Sequence, residues 1–159
     1  MKIFLGSDHA GFPLKEFLKK HLSKTYDVED CGTFDEKPCD YPDFIFPVAE
    51  KIAKHKNSKG IILGGSGQGE AIAANRVKGA RAAVFYASRA PIGIVDAEER
   101  RSQDPYEIIR LTRMHNDANI LSMGARFITE EEAKKAIEIF LATTFEGGRH
   151  LRRVTKIEG

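Results

Sequence analysis

The sequence predicts an α/β fold: a parallel sheet of five strands covered by helices on both faces. Three observations carry that reading. Short apolar runs alternate along the chain with stretches whose apolar residues recur at helical spacing. The passages between runs are long enough for right-handed crossovers, which parallel strands require. At the centre, Gly60-Ile61-Ile62-Leu63 leads into Gly64-Gly65-Ser66-Gly67-Gln68-Gly69-Glu70 and then Ala71 to Asn75. That is a strand, a glycine turn and a helix start.

Residues 2–6 read as a buried strand, followed by a turn at Ser7 to Gly11. Leu14, Phe17, Leu18, His21 and Leu22 then share one helical face, with Pro13 in the first turn. Tyr26 to Asp30 is a weaker second strand. A polar loop reaches Asp40-Tyr41-Pro42. The next helix buries Ile45, Val48, Ala49, Ile52 and Ala53, and Pro47 is expected to kink it or delay its start. His55 to Ser58 is a solvated connection before the central strand. The helix after the glycine turn is expected to end near Val77 to Gly79. Arg81 to Tyr86 is the fourth strand. The segment 87–105 is irregular and long for a connection, and reads either as a lid or binding loop or as a solvated excursion. Asp104-Pro105 is expected to start a helix carrying Ile108, Ile109 and Leu111. Ala118 to Met123 is the fifth strand. Thr129 with Glu132 forms a capping box for a helix with Ala133, Ala136, Ile137, Phe140 and Leu141 inward. In the tail, Arg149, Arg152 and Arg153 read either as an anion site or as a solvated basic end.

Composition excludes several classes. The 159 residues suit one domain with a sizeable core, and 42% hydrophobic with 30% charged residues is ordinary for a soluble protein. A net charge of +2, with only the tail basic, gives no nucleic-acid face. No apolar run reaches membrane-spanning length, and Met1-Lys2-Ile3 opens no signal peptide. Cys31 and Cys39 fit no metal-ligand spacing. They read as free thiols in a reducing cytoplasm.

The glycine turn brings backbone N–H groups and a helix N-terminus to one place. Glu70 stands where a Walker loop needs Lys, and where a dinucleotide fingerprint starting at Gly65 needs a small residue. A carboxylate there repels phosphate. Two roles stay open from the loop alone: a base taking a proton from carbon beside an oxyanion site, or an acidic first-turn residue complementing the helix dipole. Asp8 and His9 follow the first strand at the ligand-binding edge of the sheet, although Asp8 also suits a helix N-cap.

One ordered set of motifs is highly specific. Ser7-Asp8-His9-Ala10-Gly11, Gly32-Thr33, Asp40-Tyr41-Pro42, Gly64 to Glu70 with Ala73-Ala74-Asn75, His115-Asn116-Asp117-Ala118-Asn119 and Gly147-Gly148-Arg149-His150 occur in sequence. The chain resembles the type B ribose-5-phosphate isomerase family, which includes galactose-6-phosphate isomerase subunits. The resemblance spans nearly the whole chain and implies one Rossmann-like, three-layer α/β/α domain over 1–159. It implies a cytoplasmic homodimer with shared active sites, or a tetramer built from it. The resemblance further implies that the tail over about 143–159 packs on the partner subunit. It also implies no metal and no cofactor. The implied reaction interconverts ribose 5-phosphate and ribulose 5-phosphate through a cis-enediolate. Glu70 is then the base of the family's glutamate version, with Ser66 where the other version has cysteine. His115 assists ring opening. Asp8, His9 and Asn116 contact sugar, and Gly65, Ser66, Gly67, Gln68 and Gly69 surround the reacting oxygens. Arg126, Arg149 and Arg153 match the phosphate arginines. For Glu70 to act near neutrality, burial should raise its pKa. Because His115 precedes a strand while Glu70 follows one, they should start at opposite sheet edges, and a two-fold partner would supply His115 and Asn116. The 87–105 segment is longer than the family pattern. Isomerisation of galactose 6-phosphate, allose 6-phosphate or a tetrose phosphate is the alternative. A sugar-phosphate-binding protein without catalysis is the rival from another class.

Overall fold

A computed structural model describes residues 1–159. In chain order the elements are β1 (Lys2–Ser7), α1 (Phe12–Leu22), β2 (Asp27–Asp30), α2 (Pro42–Lys54), β3 (Lys59–Gly64), α3 (Gln68–Ala74), β4 (Ala82–Phe85), α4 (Glu107–Asn116), β5 (Ile120–Gly124), α5 (Glu130–Ala142) and α6 (Gly148–Glu158). All strand pairs are parallel, in the order β2-β1-β3-β5-β4. Strand order reverses direction between β1 and β3, so a crevice opens at their C-terminal ends.

Side-chain alternation along the central strands divides the core in two. Ile3, Leu5, Ile61, Leu63, Leu121 and Met123 face α1, α4 and α5, where Leu18, Ile109 and Phe140 meet them. Phe4, Ile62 and Ile120 face the other way, against Ile45, Val48 and Ile52 of α2 and Ala73 and Ala74 of α3. The three layers follow directly. Ile61, Ile62 and Leu63 are fully buried, and each such side chain contributes about 1.5–3 kcal/mol.

Some local boundaries depart from the sequence reading. α2 starts at Pro42 and continues through Pro47, and Ala53 is exposed rather than inward. α3 stops at Ala74, because Asn75 turns its side-chain amide onto the Ala82 backbone: Nδ2 donates to the carbonyl at 3.0 Å and Oδ1 accepts from the N–H at 2.7 Å. α4 begins at Glu107, since Asp104 Oδ1 accepts the Tyr106 N–H at 2.8 Å and closes a turn ahead of the helix. Ile108 on that helix is exposed. The capping box on α5 forms as read, with the Glu132 N–H donating to Thr129 Oγ1 at 3.2 Å and the Thr129 N–H to Glu132 Oε2 at 2.9 Å.

The basic end of the chain is helical. α6 packs beside α4 and buries His150 and Val154. Arg81 pairs Glu158 at 2.5 Å, and the Gly79 N–H donates to the same carboxylate at 3.0 Å. Lys15 of α1 is fully buried, with its ammonium 2.5 Å from Asp30 and 2.6 Å from Glu16. That pairing ties α1 to the edge strand β2.

Candidate functional site

The C-terminal edge of β1, β3 and β5 carries the first group of residues. The Asp8 N–H donates to the Leu63 carbonyl at 3.2 Å, fixing the end of β1 beside that of β3. Asp8 Oδ1 accepts the Gly11 N–H at 2.9 Å. Asp8 thus caps the turn ahead of α1, while Gly11 takes the N-cap position itself. His9 Nδ1 accepts the Cys39 N–H at 3.3 Å, which draws the 33–41 loop over the crevice. Past β5, the Arg126 N–H donates to the Gly65 carbonyl at 3.2 Å. A methyl group on Gly65 would lie 3.4 Å from Arg126 Nη1, so this guanidinium covers the glycine turn.

The turn is shaped by Gly67, which sits at φ +76° as the N-cap of α3. Buried Ser122 of β5 donates its hydroxyl to the Gly67 carbonyl at 2.6 Å and holds the turn from beneath. The N–H groups of Gly65, Ser66, Gly67 and Gly69 enter no backbone hydrogen bond. Ser66 is exposed, and its hydroxyl accepts from the Gln68 N–H at 3.4 Å. These amides, at a helix start, suit a developing negative charge on oxygen.

Glu70 closes the turn and is only 4% exposed. Its carboxylate folds back over Gly64, where a methyl group would lie on the carboxyl oxygens themselves. Burial pushes its pKa above the usual 4.5; its own backbone N–H opposes the rise, and the Asp8 carboxylate adds to it. A carboxylate complementing a helix dipole would stay in water with a depressed pKa. Glu70 is therefore a buried carboxyl group whose proton affinity is raised, unlike a solvated first-turn acid.

The second group lies at the opposite edge. α4 runs back against the strands, so its last residues, His115 and Asn116, reach the N-terminal side of the sheet. The His115 ring stacks on His150, with centroids 4.2 Å apart and planes within 4°. Glu146 Oε2 lies 3.7 Å from Nε2 of each ring. Arg149 Nε donates to His150 Nε2 at 3.3 Å. Parallel rings send their lone pairs side by side rather than to one point, and Arg149 uses that of His150. The trio is a stacked pair bridged by a carboxylate, not a chelate. Burial and the nearby His115, Arg149 and Arg153 charges lower the His150 pKa. Arg153 is exposed one turn beyond Arg149 on α6.

Between β4 and α4 the chain forms a hairpin bridged at Ile94 and Arg101. Asp96 Oδ1 accepts the N–H groups of Glu98 and Arg100, each at 3.1 Å. Arg100 pairs buried Glu107 at 2.7 Å, and Glu98 reaches Arg149. The hairpin thus reaches from the start of α4 to the start of α6. Beneath it is an open apolar groove of about 870 Å³, lined by Val84, Tyr86, Ile92, Ile94, Ile108 and Leu111 among others. The segment is an anchored excursion.

The chain matches the family model described as ribose/galactose isomerase over residues 3–91 and 103–157. The chain belongs to that family. The ribose/galactose isomerases similar to it include a probable ribose-5-phosphate isomerase B of Mycoplasma genitalium, 39% identical over 98% of this chain and 92% of the relative. A solved ribose 5-phosphate isomerase from Thermotoga maritima is 41% identical, with TM-score 0.84 over 99% of this chain and 97% of that one. A Mycoplasma genitalium ribose-5-phosphate isomerase B solved with bound ribulose-5-phosphate is 38% identical, with TM-score 0.83 over 99% and 93%. The match to the isomerase family model breaks at 92–102, which is the hairpin.

The chain brings together Asp8, His9, the 65–70 turn and Arg126, and separately His115, Asn116 and Arg149. Sequence reasoning gave no role to Tyr41, whose ring packs so closely on Gly69 that a methyl there would meet Cζ at 2.9 Å. The Asp40-Tyr41-Pro42 motif was its signal. Ser122, inside a strand, gave none.

Proposed function

We propose that this chain interconverts ribose 5-phosphate and ribulose 5-phosphate as a cytoplasmic homodimer with two shared sites. The observation that carries the reading is the buried Glu70 carboxylate, with a raised pKa, beside a turn of unoccupied amides. Glu70 takes the proton from C2 of the open aldose. The electron pair passes into the C1 carbonyl, and the free amides hold the resulting enediolate. Ser66 relays the hydroxyl proton from O2 to O1. Glu70 returns its proton to C1, which leaves the ketose. One carboxylate serves both carbons because they are adjacent. Nothing in the reaction calls for a redox cofactor.

His115 of the other subunit donates the proton that opens the ring, aided by Asn116, while Asp8 and His9 hold the sugar. Arg126, Arg149 and Arg153 bind the phosphate; guanidinium forks match its oxygens. The placement of the two groups at opposite sheet edges supports sharing across a two-fold axis. Exposed Leu151 and Ile157 on α6 support the packing of the 143–159 tail on the partner.

Mixing tests the reading. E70Q and H115A homodimers should each be nearly inactive. After subunit exchange, a heterodimer holds one doubly altered site and one intact site, so an equal mixture should recover about a quarter of native turnover. No recovery despite verified exchange would place both groups in one subunit. The same assay run on ribose 5-phosphate, galactose 6-phosphate, allose 6-phosphate and a tetrose phosphate tests the substrate. Highest efficiency on another sugar would keep the mechanism and overturn the pentose.

A further inference from the structure

We propose that Glu98, carried by the 92–102 hairpin, competes with the substrate phosphate for Arg149. The inference rests on the assignment of Arg149 to phosphate given above. Glu98 and Arg149 pair in fork-to-fork fashion, with Nη1 donating to Oε1 at 2.7 Å and Nη2 to Oε2 at 3.2 Å. That is the geometry by which a guanidinium holds phosphate oxygens, so the carboxylate occupies the donors an incoming phosphate needs. A carboxylate left beside a bound dianion would also repel it.

The hairpin is built to aim this residue and to let it go. Asp96 organises the tip by accepting the Glu98 and Arg100 N–H groups and pairing Arg100 Nε at 2.8 Å. Arg100 fixes the hairpin to α4 through Glu107. Residues 97–101 at the tip are all exposed, so the segment carrying Glu98 is not held by burial. Glu98 itself has a side chain 68% exposed, so water accepts its carboxylate once phosphate arrives. Arg149 also donates to His150, which stacks on His115. Exchange of Glu98 for phosphate therefore occurs one residue away from the ring-opening histidine. This gives the hairpin, which lies outside the family match, a defined task at the phosphate subsite.

The test is isothermal titration of the native chain and the E98Q, R149Q and E98Q/R149Q variants with inorganic phosphate at fixed ionic strength. Removal of an exposed competing charge should tighten phosphate binding in E98Q by about two- to five-fold, and the gain should shrink as salt is raised. R149Q should weaken binding, and E98Q should add nothing on top of it. The KM for ribose 5-phosphate should fall in E98Q in step with the phosphate constant, an improvement that damage to the fold would not produce. Weaker binding in R149Q with unchanged or weaker binding in E98Q would overturn the competition while keeping Arg149 as a phosphate ligand. Unchanged binding in R149Q would overturn the phosphate assignment, and the inference with it. An absence of phosphate binding by the native chain would do the same.

Discussion

Replacing Glu70 with Gln separates chemistry from structure at the proposed base. Gln has the shape of Glu and fits the space over Gly64, so α3 and the turn should keep their geometry. What disappears is the ability to take a proton. General-base catalysis contributes roughly 10²–10⁴-fold, so turnover should fall by that factor, equivalent to about 3–5 kcal/mol of barrier. Stability should move the other way. Burial raises the Glu70 pKa in the folded chain above its ordinary 4.5, so the folded state holds the proton more tightly than the unfolded one. That contribution is complete below 4.5 and is lost as pH rises from there through the folded pKa. Above that window the native chain carries a buried charge that Gln does not. E70Q should therefore melt at or above the native temperature at pH 7, with the two curves diverging across the window. Ketose formation and thermal melts over pH report the two effects. Retention of turnover within tenfold would refute Glu70 as base. A joint loss of turnover and melting temperature would refute the claim that its role is chemical.

Three further outcomes follow from the same geometry. The Asp8 carboxylate adds to the rise in the Glu70 pKa, so D8N should shift the acid limb of the kcat/KM profile to lower pH, because the base then stays ionised further down; a limb that stays or rises counts against that coupling. In G64A the new methyl would lie on the Glu70 carboxyl oxygens, and the displaced base should cost about 10²-fold in turnover with far less loss of substrate affinity. K15M removes one partner of a buried ion pair; urea unfolding should show a loss of about 3 kcal/mol, the low end for such pairs because Lys19 still contacts Asp30 at 2.6 Å.

Local patterns in the sequence found what local physics decides. The apolar runs at Ile3 to Leu5 and Ile61 to Leu63 became the buried strands, Thr129 and Glu132 formed their reciprocal cap, and the glycine turn and Glu70 met at one edge. The misses involve partners distant along the chain. Lys15 lies off the Leu14–Leu18 stripe and no sequence pattern singles it out, yet it is fully inside, paired with Asp30 and Glu16. The 92–102 hairpin is held by Asp96, Glu107 and Arg149, and no periodicity announces such a combination. The tail reads only as an anion site or a solvated basic end, whereas α6 gains its place from His150, Val154 and the Arg81–Glu158 pair. Asp104-Pro105 is a sound helix opening by composition. Its side chain was spent on the Tyr106 amide before the helix began.

The Asn75 amide has a consequence beyond ending α3. The Arg81 carbonyl accepts from β5, so the N–H and C=O of Ala82 point away from the sheet, on the open side of its last strand. Asn75 meets both with a side chain that imitates a peptide unit. The sheet is thereby given a false neighbour one link long, and a foreign strand seeking to dock there finds its first pair of bonds already taken. The residue that sets the length of the helix bearing the base thus also guards the chain against self-association along its exposed edge.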